Sequence, residues 1–196
     1  MDSKVRYGLR NTKYAVWNPA TQTYGELKSW PGAVSLSLTR EGGDASDFYA
    51  DDGIYFTFAG TNGGYSADLE MARLTDQVRQ DLLGEFVDEG TGVQFETTLI
   101  EQPEFALITE MQGDQGPMGF CFYNCKAARP EWDANTKNEN PSVDTDTIAV
   151  RIGARTFPHL GVEKPFVQGH IGKTADNAAK YAAFFESVVL PTAQQG

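Results

Sequence analysis

Along most of this chain apolar and polar residues alternate one by one, the period of a strand with one face in a core and one in water. Val34, Leu36 and Leu38 alternate with Ser35, Ser37 and Thr39, and Tyr65, Ala67, Leu69 and Met71 alternate with Ser66, Asp68 and Glu70. Each pattern predicts a strand with one core face and one polar face, as in antiparallel sheets. Residues 54–58 form a further β-rich run, and Thr61-Asn-Gly-Gly64 supplies turn chemistry before Tyr65. Residues 105–112 and 118–126, joined by Gly113-Asp-Gln-Gly116, predict a hairpin. Residues 144–155 predict a late strand with Ile148, Val150 and Ile152 on one side.

Two segments switch to the helical period. Thr75 is a good N-cap, Asp76 suits the positive end of the helix, Val78 and Leu82 share a face, and Gly84 is a natural stop. These signals predict a short helix at 76–83. Later, Tyr181, Phe184, Phe185 and Val188 fall at i, i+3, i+4 and i+7 before Pro191, which predicts a helix at about 175–190. Its apolar face must dock on the sheet or on a neighbouring subunit. Residues 40–47 and 129–142 read as polar loops. Residues 157–173, with prolines, glycines and both histidines, read as an extended arm. The expected fold is mainly β with minor α: a sandwich or barrel flanked by a helix at 1–155, then an arm and terminal amphipathic helix at 156–196.

Composition narrows the function. The 196 residues, 40% of them hydrophobic, suffice for one domain with a real core. No apolar run reaches the roughly 18 residues of a membrane-spanning helix, and Met1-Asp2-Ser3-Lys4 lacks a secretory apolar stretch. The expectation is a soluble chain made in a cytoplasm, with no membrane partner. A net charge of −11 argues against tight binding to nucleic-acid phosphates. Between Glu41 and Asp114 stand 17 carboxylates against only Arg73 and Arg79, while the rest of the chain carries a net +4. That polarity suits head-to-tail assembly, in which one copy's basic surface meets another's acidic one. It equally suits an acidic middle that keeps the chain soluble. Cys121 and Cys125, four apart in a strand, are about 13 Å from each other. They are therefore expected to be free, half-buried thiols on one face.

Catalytic chemistry finds no footing. The chain has no Gly-x-Ser-x-Gly elbow, His-Glu-x-x-His motif, P-loop or Rossmann glycine fingerprint. Catalytic, cofactor and metal sites are accordingly expected to be none, with His159 and His170 at the surface or an interface. Asp51 and Asp52 could be read as a hydrolase pair or calcium ligands, but their spacing suits a solvated turn or an interface better. Phe48, Tyr49, Tyr55, Phe56 and Phe58 cluster around one hairpin, either as core or as an exposed anchor for a partner.

A resemblance runs through these segments in order. Lys4-Val-Arg-Tyr-Gly-Leu-Arg-Asn-Thr-Lys-Tyr-Ala15, Pro31-Gly-Ala-Val-Ser-Leu-Ser-Leu38, Phe48-Tyr-Ala-Asp-Asp52 and Gly64-Tyr-Ser-Ala-Asp-Leu-Glu-Met-Ala72 carry its first half. Asp81-Leu-Leu-Gly84, Phe105-Ala-Leu-Ile108, Phe122-Tyr-Asn-Cys125 and Ala128-Arg-Pro130 continue it. Over residues 4–155 the chain resembles the major tail (tail tube) proteins of long-tailed, non-contractile bacteriophages, while 157–173 is expanded relative to that family. The resemblance implies a structural virion protein, assembled in the host cytoplasm as hexameric rings stacked into a hollow tube. DNA would pass through the lumen during ejection, and the partners would be the tape measure, tail tip and tail terminator proteins. By the same analogy, Phe48, Tyr49, Ala50, Asp51 and Asp52 would form a ring-stacking loop. The outward strand positions Asp68, Glu70 and Glu110 are candidates for the lumen wall. Tyr181, Phe184, Phe185 and Val188 are candidates for an inter-subunit helix contact. Two other readings stay open: a β-sandwich binding module that stacks carbohydrate or a tail-tip ligand on Trp30, Trp132 or Tyr49, and the inner tube of a contractile injection machine.

Overall fold

The computed structural model describes residues 4–99, 101–131 and 144–193. The chain opens with the long strand β1 (Arg6–Asn18), the two-residue strands β2 (Thr23–Tyr24) and β3 (Lys28–Ser29), and β4 (Ala33–Glu41). A hairpin of β5 (Ser46–Ala50) and β6 (Gly53–Phe58) leads into β7 (Gly64–Met71). Helix α1 (Asp76–Leu83) is followed by a small hairpin, β8 (Phe86–Val87) and β9 (Gln94–Phe95). The central strands β10 (Phe105–Gly113), β11 (Met118–Ala127) and β12 (Asp146–Gly153) come next. Strands β13 (Arg155–His159), β14 (Val162–Phe166) and β15 (Gln168–Gly172) and helix α2 (Ala178–Ala183) complete the fold.

One antiparallel sheet runs in the order β2-β1-β10-β11-β12-β7-β4, with β3 beside β1 and β15 beside the first half of β11. The mainly β class with minor α, expected from the alternating pattern, is what the chain adopts. The sheet curls until β4 faces the start of β1, and Tyr7, Leu9, Val34, Leu36 and Met111 line the cleft between them. Inside the curl lies the main core, with Tyr14, Trp30, Leu69, Met71, Phe105, Leu107, Phe122, Ile148 and Ile152 among its buried members. Helix α1 seals it through Val78 and Leu82. The helix has the predicted bounds: the Thr75 hydroxyl accepts from the Val78 amide at 3.4 Å, and Gly84 takes φ 72° at the stop.

A second cluster covers the opposite face of the central strands. Ala106, Ile108, Cys121 and Tyr123 meet Phe157, Tyr181, Phe184 and Phe185 there. The two cysteines therefore lie on opposite faces, Cys125 in the first cluster and Cys121 in the second. A bulge is the reason. Leu107 pairs with Phe122 but Phe105 pairs with Cys125, so one extra residue in β11 reverses the alternation. Both thiols are free and fully buried rather than half-buried.

Four further expectations are corrected. Residues 157–173 are not an extended arm: β13 and β14 form a hairpin, and β15 joins the main sheet against β11. The terminal helix is only six residues long, and the carbonyl of Phe185 just beyond it accepts from Lys13 Nζ at 2.8 Å. Of the loop expected at 40–47, Arg40 and Glu41 instead extend β4, and Ser46 and Asp47 begin β5. In β4 itself Ala33 and Leu36 pack on the core, while Val34, at a register shift between Ala33 and Ser35, and Leu38 are exposed.

Candidate functional site

The hairpin β5–β6 stands clear of the rest of the molecule. Backbone bonds from Gly63 N to Glu41 O and from Thr61 N to Gly43 O carry the β4–β7 ladder outward past Gly64 and into it. At its tip Ala50 pairs with Gly53, and Asp51 and Asp52 both take positive φ, 50° and 61°. Two such residues make the turn that matches strand twist in a two-residue hairpin, and aspartate tolerates that conformation. The segment expected as a loop at 48–52 is thus the outer strand and turn of this hairpin. Phe48, Tyr49, Ile54, Tyr55, Phe56 and Phe58 are all more than half exposed, Tyr55 at 72%. Phe48 meets Tyr55 edge-on at 6.4 Å and Phe56 meets Phe58 at 5.0 Å. These rings touch each other and otherwise face water. An isolated two-stranded ribbon is marginal in water, and an apolar surface of this kind marks an interaction site.

A second exposed apolar group was not singled out in the sequence. Phe86 packs on Phe95 at 5.8 Å across β8–β9, and both, with Val87, Val93 and Leu99, remain exposed, Leu99 at 91%. This hairpin is tied to α1 by Gln80 and Gln94 (3.1 Å) and to the end of β11 by Arg129, which pairs with Glu96 at 2.6 Å. The first hairpin precedes β7 and the second follows it by way of α1, so the two hang from opposite ends of one strand.

The other predicted site residues scatter. Asp68 is exposed on the outer face of β7. Glu70, half-buried on the same face, accepts from Ser35 and Thr145 hydroxyls at 2.9 and 2.8 Å. Glu110 is corrected: it is buried at 6% exposure and ion-paired to Arg10 at 2.7 Å, on the face that α2 covers. Tyr181, Phe184 and Phe185 are likewise buried within the protomer, and Val188 packs beside them. The sheet, not a neighbouring subunit, takes that helix face. Close approach depends on Gly119, where a Cβ would stand 2.8–2.9 Å from both phenylalanine rings. Trp30 is fully buried, and Trp132 lies outside the described residues.

Burial and charge elsewhere read as structure. Burial pushes the Cys121 thiol up to about 12, which leaves it unreactive. Glu104 binds both Arg155 and Lys126. Burial raises its pKa, but those two hydrogen bonds outweigh burial and hold its carboxyl below the usual range. Arg155 also stacks 3.9 Å over the Trp17 ring. Among the described residues no group of three or more His, Cys, Asp or Glu side chains is placed to hold a metal ion, and no helix is long and apolar enough to cross a membrane.

A further concave feature is basic. Lys4, Arg6, His170 and Lys173, with Gln115 and Thr174, line a cleft of about 550 Å³ where β1 begins, β11 begins and β15 ends. No protein-family model matches the chain, and a search of curated proteins finds no relative.

Proposed function

We propose that this chain is a structural subunit that polymerises head to tail, the major tail tube protein of a long-tailed phage virion. The observation that carries the reading is the pair of exposed apolar hairpins at opposite ends of β7. A surface at one end that meets a different surface at the other makes a heterologous contact, which extends without closing. Covering both hairpins in every interior copy takes one repeated contact.

Lateral assembly is supported by the part of β4 beyond Leu36, past the stretch that faces β1, where its outer edge carries no ladder partner among the described residues. Six copies side by side would form the ring. The lumen wall is then the outer face of β4, β7 and β12, with Ser35, Ser37, Asp68 and Glu70. The opposite outer face, on β10 and β11, is occupied by α2 and the second cluster. That face also carries Arg151, engaged by Glu41 at 3.1 Å, and a wall otherwise of hydroxyls and carboxylates gives phosphates little to bind and lets DNA slide. The tape measure protein would fill that lumen before ejection, with the tail tip and terminator proteins at the two ends. No catalytic step or cofactor enters this reading.

Electron microscopy of concentrated full-length protein, with and without tail-tip complexes as seeds, tests it. Stacked six-fold rings or hollow tubes are expected, and Phe48→Ser with Tyr49→Ser should stop tube growth while leaving a folded monomer. Compact single particles at every concentration, seeded or not, would remove the tubular reading.

A further inference from the structure

The geometry points to the basic cleft at the start of β11 as the receiving site for the acidic β8–β9 turn of a second copy. This inference rests on the head-to-tail reading and names the polar contact within it. Strand β11 is ten residues long, so its two ends stand about 30 Å apart. At its first end Met118 lines the cleft with Lys4, Arg6, His170 and Lys173. Just beyond its last residue, Arg129 grips Glu96 and the carbonyl of Thr97, which fixes the β8–β9 segment at the opposite end.

The cleft and the β8–β9 segment carry opposite charge. Residues 84–101 carry Glu85, Asp88, Glu89, Glu96 and Glu101 and no lysine or arginine. Asp88 is held in the turn by the amide and hydroxyl of Thr91 at 2.7 and 2.8 Å, and Glu89 beside it is exposed. Across the molecule, the side chains of Lys4, Arg6 and Lys173 form no ion pair among the described residues. In a chain of net charge −11 these cations line one cleft, beside the Asp114 carboxylate that accepts from the Lys4 amide at 2.7 Å. In the 84–101 segment Glu85 and Glu96 are engaged by Arg79 and Arg129, which leaves Asp88, Glu89 and Glu101 outside ion pairs among the described residues.

One copy therefore offers cations at one end of β11, and the next offers the carboxylates of the β8–β9 turn at the other. Base meets acid in a translation along β11. Opposite charges then fix orientation and reject the reversed stacking, in which like charges would meet.

The test uses the full-length chain. Arg6→Glu with Lys173→Glu should lower the assembled fraction in low salt by about tenfold or more, read by sedimentation, since like charges would now face each other. Adding Glu89→Lys to that variant should recover part of the loss, because the reversed pair attracts again. A second measurement is independent of charge. A Cβ added at Gly172 would meet nothing within 4 Å, so Gly172→Cys fits without a clash. Mixed with Glu89→Cys, it should give a disulfide-linked heterodimer under mild oxidation, the native thiols being buried. Wild-type protein that never assembles would remove the tubular reading and this pairing together. Normal assembly of the folded reversal variant, or tubes without the Gly172–Glu89 crosslink, would overturn the pairing and leave the tube standing.

Discussion

Two strands of similar apolar content meet opposite fates in this molecule. The first six residues of β10, Phe-Ala-Leu-Ile-Thr-Glu, are all buried, and the six residues of β6, Gly-Ile-Tyr-Phe-Thr-Phe, are all exposed. The difference is the number of layers. β10 has a strand on each side, the main core on one face and α2 with the β13–β14 hairpin on the other. β6 has β5 alone. Burying an aromatic side chain contributes about 1.5–3 kcal/mol relative to leaving it in water. β10 obtains that stabilisation inside the protomer. The aromatic side chains of β6 go largely without that stabilisation among the described residues, and on the proposed head-to-tail reading a second copy supplies it.

The largest expected effect comes from stripping one layer off β10. Deleting residues 157–196 removes Phe157, Tyr181, Phe184 and Phe185 and bares Ala106, Ile108, Cys121 and Tyr123. An independent unit at 1–155 would survive this as a soluble sandwich. The packing instead predicts loss of the cooperative urea transition, with a hydrophobic dye binding the exposed face. A truncated chain that still unfolds in one sharp transition would show that the outer face of β10 needs no cover.

A matched pair of substitutions sharpens the same contrast. Phe122→Ala, in the main core, should lower unfolding stability by about 3–5 kcal/mol. Phe56→Ala, on the exposed hairpin, should change monomer stability by no more than about 1 kcal/mol and act on assembly instead. Urea unfolding of both variants under monomeric conditions reads the difference. Equal losses would mean that the hairpin is part of the folding core.

How far the sequence reached follows from the range of the forces involved. Helix α1 was legible to the residue because Thr75, Asp76 and Gly84 act within a few positions of one another. β7 was legible because it has a clean inner face, Ala67, Leu69 and Met71. The cysteines were misplaced because one bulged residue in β11 depends on its pairing with β10, and strict alternation does not contain it. The apolar face at 181–188 was found, but a face does not name its partner, and the sheet below Gly119 took it. Phe48 to Asp52 were singled out, although their aromatic character fits a core as well as an interface. The β8–β9 patch escaped because two-residue strands leave no period to detect. The basic cleft joins residues 4, 6, 170 and 173, and only the pairing of β15 with β11 brings those ends together.

The smallest expected effect lies where α1 is fastened to the core, a polar anchor. Asp81 accepts from Tyr14 Oη at 2.6 Å, Lys28 Nζ at 2.7 Å and Gln77 Nε2 at 3.0 Å. Burial raises the pKa of this carboxyl, but the bonds from Lys28, Tyr14 and Gln77 outweigh burial and hold it below the usual aspartate value. A depressed folded value means that the carboxylate contributes stability above its unfolded pKa, near about 3.9, and loses it as pH falls through the folded one. Asp81→Asn should therefore cost about 1–3 kcal/mol at neutral pH, since it removes a charged acceptor from two partly buried donors. That cost should shrink below about pH 4, because the wild type then loses the same interaction. Urea unfolding of both proteins across the acid range measures the gap. If it stays constant from neutral pH into strong acid, Asp81 does not hold α1 through its charge, and the apolar contacts of Val78 and Leu82 alone fasten the helix that carries the second hairpin.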